Sequence, residues 1–326
     1  MRESASSNSH KHRRKQISEQ GCGAYFWIRQ STIVINRIAL PGVISSILSF
    51  LFTLLLSAMQ MIGSLRLGNL SQQRRPSSSY FGSVKSICSL HTETINVWSH
   101  IIGTVLFSAD AVRFTAICTG PLARDEMVIL IYLATTAFCF LCSVLYHVFS
   151  NHDQAHFWQR IDHLGIVAVI WASAISVTFF SFICESDIQG AYMGILSLFA
   201  IISLLSHWHA SSRSVGICWD RVATHVAFGG SAALPALHFS YRSHQHASEP
   251  EFRLVRSFWS LVVFNSTGGL IYATDLIQRV VRARVNTQNA SHQVMHVVVV
   301  FGAWTYRQGL FSLYQLKTTR DGNYCV

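Results

Sequence analysis

Apolar residues in this chain come in blocks of about 20, with the charges pushed into the gaps between them. About 20 such residues, wound as a helix, cross a hydrocarbon layer roughly 30 Å thick. Lipid offers the backbone no hydrogen bonds, and a helix satisfies its own. Half of the residues are hydrophobic and only 12% are charged, against a usual charged share of roughly 25%. The expectation is an all-α, seven-transmembrane helical bundle, with an extra N-terminal hydrophobic helix as an option.

The seven blocks lie near 96–118, 127–147, 163–183, 191–207, 219–241, 255–274 and 293–314. The fourth is short and is expected to stand nearly upright. The fifth carries Pro235, which predicts a kink. Three regions follow. Residues 1–73 read as a basic, partly disordered stretch with a hydrophobic segment near 38–62. Residues 74–314 form the seven-transmembrane domain, and 315–326 a short tail.

The net charge of +10 gathers before the first block, most tightly in the KHRRK run from Lys11 to Lys15. Beside a membrane domain such a run faces anionic headgroups, so membrane lipids are expected as partners and nucleic acid is not. The eight cysteines show no disulfide framework in their spacing. Cys139 and Cys142, a CxxC inside an apolar block, read as small buried hydrophobes.

Chemistry concentrates in three separated places. Block two ends in SVLYH, with Ser143 and His147 at i and i+4. Block three opens around Asp162 in QRIDHLGI, and block seven opens with SHQVMH, placing His292 and His296 at i and i+4. Residues four apart share a helix face. If the blocks alternate across the bilayer, all five groups lie at similar depth near one membrane face. Three imidazoles there could hold zinc and leave a fourth position open, as catalytic sites do. Asp162 could then steer or accept the proton of water activated by the metal. Ser143 could hold substrate or orient that water. From spacing alone, hydrogen-bonded histidines at a helix interface remain the other reading. His152 and His156 repeat the i, i+4 pattern and are expected in a solvated loop.

The stretch SICSLHTETINVWSHIIGTVLF, then SVLYH, the Asp162 segment and SHQVMH, together resemble the progestin and adipoQ receptor family. That family includes adiponectin receptors, bacterial hemolysin III proteins and fungal relatives. The likeness covers about Arg74 to Leu313. It implies seven helices, a cytoplasmic N-terminus, and a Zn2+ near the cytoplasmic face. Carried onto matching positions, it implies His147, His292 and His296 as the metal ligands and Asp162 as partner of the metal's water. It also implies Ser143 as a support or substrate contact. Glu93 and Asn96, within HTETIN, are read as structural. Where adiponectin receptors continue Tyr-x-x-Arg-x-Pro-Glu-Arg, this chain departs after Tyr272.

The expected function is a receptor-like integral membrane protein with zinc-dependent hydrolysis of a lipid amide such as ceramide, and a role in lipid or zinc homeostasis. The alternative is a non-enzymatic receptor in which zinc is structural and an extracellular ligand shifts helix packing. A multi-pass location in the plasma membrane or an endomembrane follows. Basic residues before block one (Arg66, Arg74, Arg75, Lys85) tip the histidine-bearing face towards the cytoplasm.

Overall fold

The computed structural model describes residues 74, 76–118, 122–209, 219–242, 249–281 and 289–319. The hydrophobic segment expected near 38–62 lies outside them. The chain runs through α1 (Tyr80–Lys85), α2 (Thr94–Ile117), α3 (Arg124–Val148), α4 (Ala155–Ser181) and α5 (Ser186–His209). It continues through α6 (Trp219–Ala232), α7 (Leu234–Arg242), α8 (Glu249–Ala273), α9 (Leu276–Val281) and α10 (Ala290–Thr319). Extended pairing among the described residues is limited to one isolated bridge, Ser77 with His152.

Each expected block is a helix, and α2 to α5 are long and apolar enough to cross a membrane. The fifth block is broken, as Pro235 predicts: α6 ends at Ala232 and α7 restarts at Leu234, because proline lacks the N–H that would continue the ladder. The fourth block needs correcting. It is a 24-residue helix, longer than its apolar run, because the polar residues Ser186, Asp187 and Gln189 belong to its first turns. Gln189 Nε2 donates to the Phe179 carbonyl at 2.8 Å, which ties the start of α5 to the end of α4. The last helix also runs past 314, to Thr319.

Polarity is distributed as a lipid-facing bundle requires. Val105 and Val112 on α2, Ile201 and Leu205 on α5, and Val263 and Leu270 on α8 are exposed, whereas Asn96, Thr136, Ser176 and Thr178 are fully buried. Two tyrosines stitch the centre. Tyr132 on α3 donates to the Ala303 carbonyl on α10 at 2.9 Å, and the Tyr306 hydroxyl meets Ser176 Oγ on α4 at 2.8 Å. Beside them Arg307 on α10 holds Asp110 on α2 through two bonds of 2.9 and 2.7 Å.

Close helix packing relies on small residues. A Cβ at Gly165 on α4 would stand 2.9 Å from Cys139 Cα and 3.2 Å from Cys142 Cβ on α3, so only glycine lets these backbones approach so far. Cys139 and Cys142 are free and buried against it, acting as the small hydrophobes expected. The cysteine reading is corrected at one position: Cys184, just beyond α4, is disulfide-bonded.

Candidate metal centre

One helix end and the first turns of two other helices build the site. The end of α3 presents His147, the start of α10 presents His292 and His296, and α4, which opens at Ala155, carries Asp162 about two turns in. Glu126 caps the start of α3, its Oε2 accepting from the Ala123 N–H at 2.9 Å. The helix is terminated from outside by Arg74. The Arg74 guanidinium donates to the Val148 carbonyl at 2.8 Å, to the His147 carbonyl, and to Ser150 Oγ at 2.7 Å. A cation over the last carbonyls of a helix completes unsatisfied acceptors and opposes the negative end of the dipole. It also fixes the backbone that carries His147.

The start of α10 is fixed as firmly. Asn289 adopts a left-handed φ of 64°, a conformation asparagine tolerates better than most residues. Ser291 N–H donates to Gln278 Oε1 at 2.9 Å. Gln293 Nε2 donates to the Thr92 carbonyl at 2.7 Å, joining α10 to the lead-in of α2.

The structure brings His147, His292 and His296 together, with one donor atom from each lying within 4.8 Å of the others. His292 Nε2 and His296 Nε2 are 3.1 Å apart. Zinc bound to nitrogens at about 2.0–2.1 Å sets neighbouring ligand atoms about 3.3 Å apart in a tetrahedron, so this spacing fits a shared ion. His147 gives the sharper observation. Its Nδ1 lies 2.7 Å from Glu93 Oε2, while its Nε2 is buried without a hydrogen-bond partner. A buried, unpaired lone pair is costly, and a cation shared with the other two rings would satisfy it.

Glu93 is the functional residue that sequence reasoning assigned elsewhere. Taken as structural, it reaches the His147 ring, and it also accepts from Asn96 Nδ2 at 2.7 Å and from Asn289 Nδ2 at 3.3 Å. Burial pushes its carboxyl up, but the bonds from His147 and Asn96 prevail and hold it below the usual carboxylate range. A carboxylate that accepts Nδ1–H fixes the tautomer in which Nε2 is the ligand atom. On the other side, His296 Nδ1 lies 2.9 Å from His100 Nε2, so His100 supports His296 as Glu93 supports His147. The ring of Tyr272 packs 4.6 Å from that of His292.

Asp162 stands outside the group of mutually close donor atoms. It lies beside Ser143 and in electrostatic range of His147. The two sequence-singled residues with acid–base or hydroxyl chemistry therefore stand together beside the imidazoles. His152 departs from expectation. It is buried rather than solvated, stacked on Tyr80 with ring centroids 4.0 Å apart, and its Nε2 meets the Ser78 carbonyl at 3.1 Å. His156 belongs to the first turn of α4.

Fold and site together define a multi-pass helical membrane protein with a histidine cluster at one end of its bundle. The family model described as haemolysin-III related matches residues 88–306, well over half of the chain and every residue of the cluster. The chain belongs to this family. It is 24% identical over 243 residues to the adiponectin receptor protein of Drosophila melanogaster, an alignment covering 73% of this chain and 54% of that protein. It is 28% identical over 245 residues to progestin and adipoQ receptor-like protein 1 of Caenorhabditis elegans, covering 73% and 55%. With progestin and adipoQ receptor family member 3 of Mus musculus it shares 25% identity over 249 residues, covering 73% and 78%. The chain thus spans about half the length of the first two relatives.

Proposed function

We propose that this protein is a zinc-dependent hydrolase of a membrane lipid amide of the ceramide kind. His147, His292 and His296 would hold the ion. When bound, zinc supplies Lewis acidity and lowers the pKa of water at its open position to about 7. The chain's own residues do the rest. Glu93 and His100 fix two of the imidazoles. Asp162, oriented by Ser143, takes a proton from the attacking water and delivers it to the amine nitrogen as the C–N bond breaks. The products are a fatty acid and a free amine. The unpartnered, buried His147 Nε2, facing two further imidazoles, is the observation that carries this reading.

The alternative reading is a receptor in which the ion only ties α3 to α10. The relatives named adiponectin receptor and progestin and adipoQ receptor support it. Measuring zinc content alongside fatty-acid release from ceramide separates the two. Replacing His292 and His296 by Ala is expected to remove one zinc per chain, as a three-histidine site implies about one ion. Asp162→Asn is expected to abolish release while zinc stays bound. Wild-type protein that binds zinc and releases no fatty acid would favour the receptor, and loss of neither zinc nor turnover in the variants would exclude both readings.

A further inference from the structure

A second group of three histidines lies outside the cluster described above, on helices that take no part in holding it. His163 is on α4, His207 near the end of α5 and His225 in the second turn of α6. One donor atom from each lies within 4.8 Å of the others. The His207 and His225 rings stack with centroids 4.4 Å apart, and His163 stands 5.3 Å from His207 and 5.2 Å from His225.

We propose that His163, His207 and His225 form a second site for a divalent cation of the Zn2+ class. His207 sets the chemistry. Its Nδ1 is committed to the Ser203 carbonyl at 2.7 Å, and since a carbonyl only accepts, Nδ1 carries the proton. Nε2 is then a bare lone pair, and it is buried with no hydrogen-bond partner. His163 Nδ1 and His225 Nε2 face each other at 3.1 Å, close to the roughly 3.3 Å edge between nitrogens on one tetrahedral zinc. A purely hydrogen-bonded trio would pair His163 Nδ1 with His225 Nε2 and strand the His207 lone pair, whereas a shared cation would take up the facing nitrogen of each ring. Imidazole-only ligation suits zinc and other borderline cations rather than magnesium or calcium.

The placement gives the site a role. α4 starts, α5 ends and α6 starts at the same end of the bundle as the first cluster. Asp162 and His163 are neighbours on α4, so an ion on His163 anchors the helix that carries Asp162. The second site acts as a clamp that holds α4, α5 and α6 together beside the reaction centre.

Metal content of the purified full chain, equilibrated with Zn2+ and washed, tests the proposal. The parent is expected to hold about two ions, and the His207→Ala, His225→Ala double variant about one. The His292→Ala, His296→Ala chain is also expected to retain about one, which makes failure of the first site distinguishable from failure of the second. Co2+ loaded into that chain is expected to give the visible absorption of a tetrahedral, nitrogen-rich ion. Should the alanine pair unfold, His207→Gln with His225→Gln preserves size and polarity and is expected to lose the same ion. A parent that saturates at one ion, lost on His292→Ala and His296→Ala, overturns the proposal, as does the absence of a Co2+ spectrum in that background.

Discussion

Glu93 Oε2 sits 2.7 Å from His147 Nδ1, linking the residue before α2 to the last turn of α3. That bond selects which nitrogen of His147 points at the other imidazoles. Replacing a carboxylate behind a ligating histidine typically costs about 10–100-fold in metal affinity. Glu93→Gln is therefore expected to weaken zinc binding by that factor at unchanged stoichiometry, read by competition with a chromogenic chelator. Unchanged affinity would mean that the bond is only a helix cap.

Arg74 acts one step further out, on the backbone instead of the ring. Its bonds to the carbonyls of His147 and Val148 are charge-assisted, and such bonds are worth about 1.5–3 kcal/mol each in favourable cases. Arg74→Ala is expected to fray the end of α3 and to speed zinc dissociation more than it lowers the melting temperature of the bundle. Arg74→Lys, with a single charged point in place of a fork, is expected to fall between. Equal dissociation rates in all three proteins would remove the role assigned to Arg74.

What the sequence disclosed and what it withheld separate by distance along the chain. Blocks of apolar residues located the long helices but not the short α1 and α9, since length and hydropathy are local properties. His292 and His296 were visible through their spacing on one helix, and His147 and Asp162 through resemblance and alternation. Partners fixed only by three-dimensional packing were not legible. Nothing local to Asp110 in α2 points to Arg307, which lies 197 positions away. Glu93 passed for a helix-start residue because its second partner, His147, is 54 positions distant. The trio of His163, His207 and His225 has no shared-helix spacing at all, so only the fold assembles it.

The ion pair of Asp110 and Arg307 has both side chains 6% exposed, and the guanidinium also lies 4.0 Å above the Phe311 ring. Leaving one charge of a buried pair uncompensated costs about 3–5 kcal/mol. Asp110→Ala is expected to lose that much in detergent unfolding, while Asp110→Leu combined with Arg307→Met recovers most of it, because the double change leaves no stranded charge. Zinc content should be unchanged in both. A double variant no more stable than the single would show that the pair is not energetically coupled.

The expected orientation is tested at two positions, Cys184 beyond the end of α4 and Asn289 before α10. Cys184 is disulfide-bonded, and disulfides persist in oxidising compartments. An oxidising compartment on that side would leave the end carrying Asp162 and the imidazoles towards the cytoplasm, as the basic residues before block one predict. Asn289 lies at that end in an Asn-Ala-Ser sequon, with its amide on Glu93. It is expected to remain unglycosylated in cells, by mobility before and after glycosidase treatment. A glycan there would reverse the topology.

Gly165 tests whether the packing of α3 against α4 sets the chemistry. An added methyl would meet the Cys139 Cα at 2.9 Å, a backbone atom that cannot swing aside, so the helices must part. Overpacking of this kind costs about 1–3 kcal/mol. Its more specific effect falls on Asp162, three residues before the glycine and roughly one turn away, which faces Ser143 across the same helix pair. Gly165→Ala is therefore expected to lower ceramide hydrolysis at least tenfold, since misplacing a catalytic group by about 1 Å can cost 100-fold. Zinc held by α3 and α10 should stay bound. Cys142→Gly in the same chain removes only the Cβ contact at 3.2 Å and leaves the backbone clash, so it should restore little of the rate; a rate indifferent to Gly165→Ala would uncouple Asp162 from the interface.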